Sequence, residues 1–322
     1  MHCPKIFDLP PSPTGKMGWP WNEESPQTPD TMQDGSAWPR ISIVTPSFNQ
    51  AQFIEETIRS VLLQGYPNLE YIIMDGGSTD GSVDVIKKYA TWLTYWVSEP
   101  DRGQPHAINT GFAHSTGEIM AWINSDDYYA PDAFRKVAEA FSQNATGWVS
   151  GRCSLVGLDG SISPGKDQPA PYIENWLVSC QYTQPNVFWK RSLWERTNKI
   201  DEQLHFSFDY ELWMQFAHYQ AFAYWIETTL AFFRMQPQSK TVTSQRRFEI
   251  EDHIVRKRYG DLARTFRQKS RVSYLRRVKK ASHYLSLPDH SKPPVKNILY
   301  ALYYAPWYIF RGHFYRTIKN IL

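Results

Sequence analysis

Glu118-Ile119-Met120-Ala121-Trp122-Ile123 runs straight into Asn124-Ser125-Asp126-Asp127, and this junction decides the fold. The apolar run reads as a buried strand, and the polar residues stand at its C-terminal end. Two adjacent carboxylates in such a place are costly unless something cationic neutralises them. In an open α/β sheet the carboxyl ends of the strands are also the edge where ligands bind. Hard oxygen ligands suit Mg²⁺ or Mn²⁺, ions that usually arrive with a phosphate-bearing substrate. Capping of the helix expected after Pro131 is the plainer use of an Asp-Asp pair.

The chain upstream repeats the pattern. Ile41-Ser42-Ile43-Val44-Thr45 is a short apolar strand that enters Pro46-Ser47-Phe48-Asn49. A helix follows, with Ile54, Ile58, Val61 and Leu62 spaced to share one face. Leu69-Glu70-Tyr71-Ile72-Ile73-Met74 is a second strand, ending in Asp75-Gly76-Gly77-Ser78-Thr79-Asp80-Gly81. Its glycines permit tight turning, and Ser78 to Asp80 offer an N-cap for a helix through Tyr89. A third strand, Leu93-Thr94-Tyr95-Trp96-Val97, leads into Ser98-Glu99-Pro100-Asp101-Arg102-Gly103-Gln104. Strands alternating with helices predict an α/β fold with a mostly parallel sheet. Each strand then delivers polar residues to one rim: Asn49, Asp75, Asp101 and the pair Asp126 and Asp127.

These motifs, in this order, resemble those of family-2 glycosyltransferases, which have the GT-A fold. The resemblance continues more weakly to about residue 240, through Gln184-Pro185 and Phe208-Asp209-Tyr210-Glu211-Leu212-Trp213. It implies that Asp75 contacts the base or ribose of a nucleotide-sugar donor, with Thr45, Pro46 and Asn49 lining the same pocket. It implies that Asp126 and Asp127 form the metal and ribose motif, where Mn²⁺ or Mg²⁺ bridges the donor diphosphate. The family often has an Asp where Asn124 stands, so the metal would rest chiefly on Asp127. Relatives often place a metal- or diphosphate-holding His near Arg234 to Lys240; Gln236 stands there, a poorer ligand. Departure of a nucleoside diphosphate develops negative charge, which a metal stabilises.

An inverting transfer also needs a carboxylate to take the acceptor's hydroxyl proton. Asp209 lies where the family carries that base, although its usually acidic neighbour is Phe208. Glu211 competes, and two residues apart on a helix the side chains face different ways. The alternative use of Asp209 is to cap the helix that contains Leu212, Trp213 and Phe216. Arg102 fits a donor phosphate, or equally a salt bridge to Asp101 or Glu99. Gln184-Pro185-Asn186 borders the acceptor pocket by analogy, or forms a polar turn. His106, His114, His205 and His218 lack the spacing of a zinc site and read as surface or packing residues.

Composition fits one substantial core in 322 residues. Cys3, Cys153 and Cys180 form no metal motif, and their odd number favours a reducing compartment. No secretory signal is expected from the first residues. Residues 1–39 hold eight of the 22 prolines with Trp19, Trp21 and Trp38 between them, an irregular extension whose tryptophans pack on the body. Residues 40–240 form the GT-A domain, and residues 241–322 a basic helical C-terminal region. From Asp252 onward, 16 Lys or Arg stand against three Asp, net +13, which leaves −10 for the first 251 residues.

The aromatic segment Tyr300 to Phe310, bracketed by Lys296 and Arg311, is too short and proline-broken to span a bilayer. Aromatics flanked by cations suit a headgroup interface, and basic residues meet anionic lipid. Intramolecular packing or a homodimer contact would look similar, and nucleic acid is the least favoured partner. The expectation is a cytoplasmic, membrane-peripheral, metal-dependent inverting glycosyltransferase. Its acceptor would be a glycan or a lipid-linked glycan, in cell-surface polysaccharide synthesis. The rival readings are an inactive nucleotide-sugar-binding scaffold and a sugar-1-phosphate nucleotidyltransferase. The latter would want a Gly-rich basic loop where Thr45-Pro46-Ser47-Phe48-Asn49 stands.

Overall fold

The computed structural model describes residues 3–165, 168–169, 172–219, 223–263 and 266–286. Strand β1 (Ile41–Ser47) leads to helix α1 (Ile54–Leu62), and β2 (Leu69–Asp75) to α2 (Ser82–Lys88). Next come β3 (Tyr95–Ser98), α3 (Gln104–Ala113), β4 (Ile119–Trp122), the short β5 (Tyr128–Tyr129) and α4 (Ala133–Gln143). β6 (Trp148–Gly157) and β7 (Ile162–Ser163) precede α5 (Ile173–Trp176), β8 (Val187–Lys190) and α6 (Arg191–Trp194). The order ends with α7 (Phe208–His218), β9 (Tyr224–Met235), α8 (Lys240–Thr243), α9 (Gln245–Arg258) and α10 (Phe266–Ser286). Two compact units result: Met1–Pro169 with Tyr182–Val255, and Ala170–Gln181 with Arg256–Leu322.

The larger unit holds one sheet in the order β3-β2-β1-β4-β8-β6-β9-β5, with β7 beside β6. β1 to β4 are mutually parallel, as the alternation of strands and helices requires. β1 and β2 are buried at every position, the pattern of strands covered on both faces. Beyond β4 the sheet becomes mixed: β8 is antiparallel to β4 and β6, while β9 runs parallel to β6. The chain builds β2 and β3 to one side of β1, then crosses to place β4 on the other. At such a reversal the loops diverge and a ligand crevice opens at the carboxyl ends.

Trp122 at the end of β4 packs on Trp213 of α7, ring centroids 5.7 Å apart, and Trp148 and Trp189 complete the cluster at 5.6 and 5.9 Å from Trp213. All four rings are fully buried. This aromatic core backs the acidic rim and joins the sheet to α7. The N-terminal extension also packs on the body: Trp21 and Trp38 are buried, and the Trp19 indole donates to the Tyr129 carbonyl at 2.7 Å.

Arg59 of α1 is 1% exposed and staples this extension. Its guanidinium donates to the carbonyls of Pro20 (3.0 Å), Pro10 (2.9 Å) and Trp21 (2.9 Å) and to the Tyr89 hydroxyl (3.2 Å). Arg59→Ala would strand three carbonyls in a largely buried setting, and a loss of about 3 kcal/mol or more is expected. Chemical denaturation should show it as a lower midpoint.

In the smaller unit, α10 packs beside α5. Arg276 donates to the Leu177 carbonyl at 3.3 Å, and Arg256 and Lys279 to the Val178 carbonyl at 3.2 and 3.3 Å. Among the described residues no helix is long and apolar enough to cross a membrane. The aromatic segment Tyr300 to Phe310 lies outside the described residues.

Candidate active site

The parallel register sets Ser47 beside Asp75 and Asp75 beside Ser98, at one edge of the sheet. Asp75 is 2% exposed, and its carboxylate accepts from Ser98 Oγ (2.7 Å), Ser78 Oγ (2.6 Å), the Ser78 amide (2.8 Å) and the Gly77 amide (3.2 Å). It therefore shapes the turn after β2 from within. Asn49 adopts φ 51°, a left-handed conformation that Asn tolerates better than most residues. There its side-chain carbonyl accepts from the Thr79 amide at 2.9 Å, and its own amide donates to Ser78 Oγ at 2.7 Å. The loops after β1 and β2 are thus clasped together.

Two members of the expected pocket lie deeper. Thr45 is fully buried with its hydroxyl 3.1 Å from Tyr71 Oη, so its side chain is turned away from the rim, and Pro46 is buried in the strand. Ser47, which sequence reasoning passed over, is 4% exposed and its hydroxyl has no partner among the described residues. Phe48 stands 60% exposed beside them.

The acidic pair is split by its surroundings. Asp127 is 1% exposed; its carboxylate accepts from the Arg234 amide at 2.9 Å and faces the Asn124 side-chain amide at 3.4 Å. Thr57 of α1 donates to its carbonyl at 2.6 Å. Asp126 is half-buried and accepts from Gln236 Nε2 at 2.6 Å through Oδ2, while Oδ1 has no hydrogen-bond partner among the described residues. Arg234 donates from Nε to the Asp126 carbonyl and from Nη2 to Glu56, both at 2.9 Å, with its guanidinium over Phe53 and Tyr128. The amide of Asn124 gives Asp127 a donor where a third carboxylate would repel it. Of the pair, Asp126 rather than Asp127 keeps an oxygen outside these hydrogen bonds, whereas the sequence put the weight on Asp127.

A polar chain extends from this pair. Gln104, opening α3, donates to Asn124 Oδ1 at 2.7 Å, and Lys240 Nζ reaches Gln104 Oε1 at 3.0 Å and the His205 carbonyl at 3.2 Å. Burial pulls the Lys240 ammonium down from its ordinary value, opposed by the nearby charges of Glu251 and Asp126. Burial pushes Asp126 up, against the Gln236 hydrogen bond and the charges of Arg234 and Lys240. Burial, and then the charge of Asp126, push Asp127 further up. Acids raised by folding bind more protons in the native state than in the unfolded chain. Their contribution to stability is complete below the ordinary value of 3.8 and is lost as pH rises through the raised values. Wild type should therefore lose melting temperature relative to Asp126→Asn as pH rises through this window, a comparison that cancels the opposite trend of the depressed carboxyls Glu70, Asp80 and Glu202. A divalent cation with a nucleoside diphosphate should recover the loss in a thermal-shift titration.

Asp209 sits half-buried in the first turn of α7 and accepts from the Tyr210 amide at 2.7 Å. Phe208 is 5% exposed and packs on Trp122 at 6.2 Å, which carries the start of α7 to the end of β4. Glu251 of α9 accepts from the amides of His205 (2.9 Å), Phe206 (2.8 Å) and Ser207 (2.8 Å), and Asp252 accepts from Ser207 Oγ at 2.8 Å. No sequence signal pointed to this anchor. Glu211, the competing base, is 3% exposed and accepts from Gln215 Nε2 at 2.7 Å. It braces α7 internally.

Arg102 pairs with neither Asp101 nor Glu99. Its guanidinium meets Glu202 at 2.8 Å and His106 Nδ1 at 2.9 Å, with its side chain 72% exposed. Burial of the Glu202 carboxyl is outweighed by hydrogen bonds from Arg102, Asn109 and His106, which hold it at about 2. Gln184 donates to the Trp122 carbonyl at 2.8 Å, and Asn186 to the Gly151 carbonyl, so both serve the sheet. His114 stacks on Tyr95 with centroids 4.0 Å apart. Among the described residues no three His, Cys, Asp or Glu side chains converge on a metal-sized site.

Comparison with known proteins adds to this geometry. The profile of Glycosyl transferase family 2 matches residues 42–205, just over half of the chain. An uncharacterised glycosyltransferase of Mycobacterium tuberculosis is 36% identical over 126 residues, 38% of this chain and 48% of that protein. TuaG of Bacillus subtilis, whose name proposes a role in teichuronic acid biosynthesis, is 32% identical over 126 residues, 38% of this chain and 50% of its own. The match thus spans about half the length of such relatives. Among solved structures, residues 1–349 of Staphylococcus aureus TarS in complex with UDP-GlcNAc superpose with a TM-score of 0.54 at 14% identity, covering 84% of this chain and 91% of that one. The Pyrobaculum calidifontis mannosyltransferase with GDP-Man and Mn²⁺ gives 0.52 at 18%, covering 90% and 86%. The likeness to these structures is one of fold.

Proposed function

Because the chain belongs to glycosyl transferase family 2 and has its GT-A fold, we propose that it is an inverting glycosyltransferase using a nucleoside-diphosphate sugar. The acceptor would be a hydroxyl of a cell-surface glycan or of its lipid-linked precursor, a class to which the name of TuaG points. The observation that carries this reading is Asp126: a half-buried carboxylate with one uncommitted oxygen at the β4 edge, flanked by Arg234, Gln236 and Lys240. Such a group gains from a cation and a phosphate arriving together.

The residues fit a divalent metal in that sense. Mg²⁺ and Mn²⁺ sites of this kind take one or two carboxylates and complete their shell with substrate phosphates and water. Asp126 would be the direct ligand, with Asp127 behind it fixing the turn through Arg234. When bound, the metal would neutralise charge on the departing diphosphate. Asp75, Asn49 and Ser47 would shape the nucleoside pocket, and Asp209 would accept the proton of the acceptor hydroxyl. The acceptor oxygen then bonds to the anomeric carbon as the bond to the diphosphate breaks. Arg102, held by Glu202, would touch phosphate only by leaving that pair.

An odd number of cysteines suits a reducing compartment, and the basic C-terminal region suits the cytoplasmic face of a membrane. Release of nucleoside diphosphate from a panel of donor sugars, with Mn²⁺ or Mg²⁺, tests the enzymatic reading. Turnover should stop after exhaustive chelation and return when metal is restored. Donor binding without any turnover, across the panel and with both metals, would leave a scaffold.

A further inference from the structure

The smaller unit contains a cavity of about 420 Å³ that the transfer chemistry does not use. Leu177, 1% exposed, and Val272, 6% exposed, give it an apolar floor. Lys269, Arg276, Arg277 and Lys280 stand around it, and among the described lining residues there is no carboxylate. Lys269 and Arg276 lie seven residues apart along α10, so they fall on one helical face. Like charges gathered on one face repel each other, and an anion among them relieves that cost. The floor is suited to hydrocarbon, and the volume lies within the range of small-ligand sites.

We propose that this cleft seats the phosphate headgroup of an anionic lipid, with the first carbons of its tail along Leu177 and Val272. The proposal rests on the reading that the basic region faces a membrane, and it names the site within that region. The chain beyond residue 286 is a poor occupant on charge grounds: it carries Lys292, Lys296, Arg311, Arg316 and Lys319 against Asp289 alone. The apolar floor also favours a lipid over nucleic acid, which would present ribose and phosphate to it.

Co-sedimentation of the full chain with vesicles tests the idea. Phosphatidylcholine vesicles doped with phosphatidic acid should bind it, and phosphatidylcholine alone should not. Lys269→Ala/Arg277→Ala should cut affinity about 30-fold, since each cation at an anionic surface contributes about fivefold. Arg246→Ala/Lys257→Ala, exposed cations of α9 outside the cleft, should change it less than about threefold. Unchanged melting of both variants shows that their folds are intact. An equal fall in both variants would leave general membrane attraction and sink the cleft. Indifference of the wild-type chain to anionic vesicles would sink the membrane reading and the cleft with it. Glycerol phosphate competing as well as the intact lipid would remove the tail contact. Displacement of vesicles by single-stranded RNA at lower concentration than lipid would reassign the cleft to nucleic acid.

Discussion

Asp126→Asn should cost about a thousandfold in transfer while raising the melting temperature of the ligand-free protein. A metal-held diphosphate gains several kcal/mol of charge stabilisation, and each 1.4 kcal/mol is a factor of ten in rate. The side chain has one oxygen on Gln236 and one uncommitted, so the amide keeps much of the packing and removes the charge. Burial makes that charge unfavourable before ligand arrives, and the charge in turn raises Asp127, so its removal relieves both groups. Loss of activity with a gain of stability is the signature of a group kept for function. An Asp126→Asn enzyme with normal turnover would move the metal assignment elsewhere. Asp127→Asn should behave differently, because Asp127 is already committed to the Arg234 amide and the Asn124 side chain.

Asp209→Asn should lower kcat by about 10² to 10⁴, the range of a lost general base, and leave donor binding intact. The donor-induced thermal shift should match wild type, because the proposed nucleoside pocket is at the ends of β1 to β3 and Asp209 is on α7. Glu211→Gln makes the control. Glu211 is buried against Gln215, so its loss should appear in stability and leave turnover within a few-fold. Turnover lost in Glu211→Gln and kept in Asp209→Asn would exchange their roles.

The parallel half of the sheet was legible in sequence because both of its periods are strong. β1 and β2 are apolar throughout, and α1 shows the helical spacing of Ile54, Ile58, Val61 and Leu62. The mixed half was not, because β6, β8 and β9 are neighbours in space in an order the chain does not follow. The same limit applied to the site. Asp126, Asp127 and Asp209 stand in recognisable strings, but Arg234 meets the acidic pair through a register. Tyr128 pairs with Phe232, and two residues further along the antiparallel strands Arg234 comes opposite Asp126. Glu251 and Lys240 reach the site by similar long-range placement. Thr45 lies deep for a local reason: β1 is buried on both faces, and the Thr45 hydroxyl lies against that of Tyr71.

The departures from family pattern each have a physical use. Phe208 packs on Trp122 and carries α7 to the sheet, Asn124 donates towards Asp127, and Gln236 donates to Asp126. All three leave the acidic pair supported, so they give no reason to read the site as defunct.

The Arg59 staple has a practical corollary for anyone cutting the gene. A fragment begun at residue 42, where the family match starts, looks like a natural minimal enzyme. It would lack all three carbonyls that hold this guanidinium, together with the indole of Trp21 that lies against it. The damage would not stay at the terminus, since α1 also carries Thr57, whose hydroxyl holds the Asp127 carbonyl. The segment before β1 acts as a splint on one wall of the candidate site, and the alignment boundary falls on the wrong side of it.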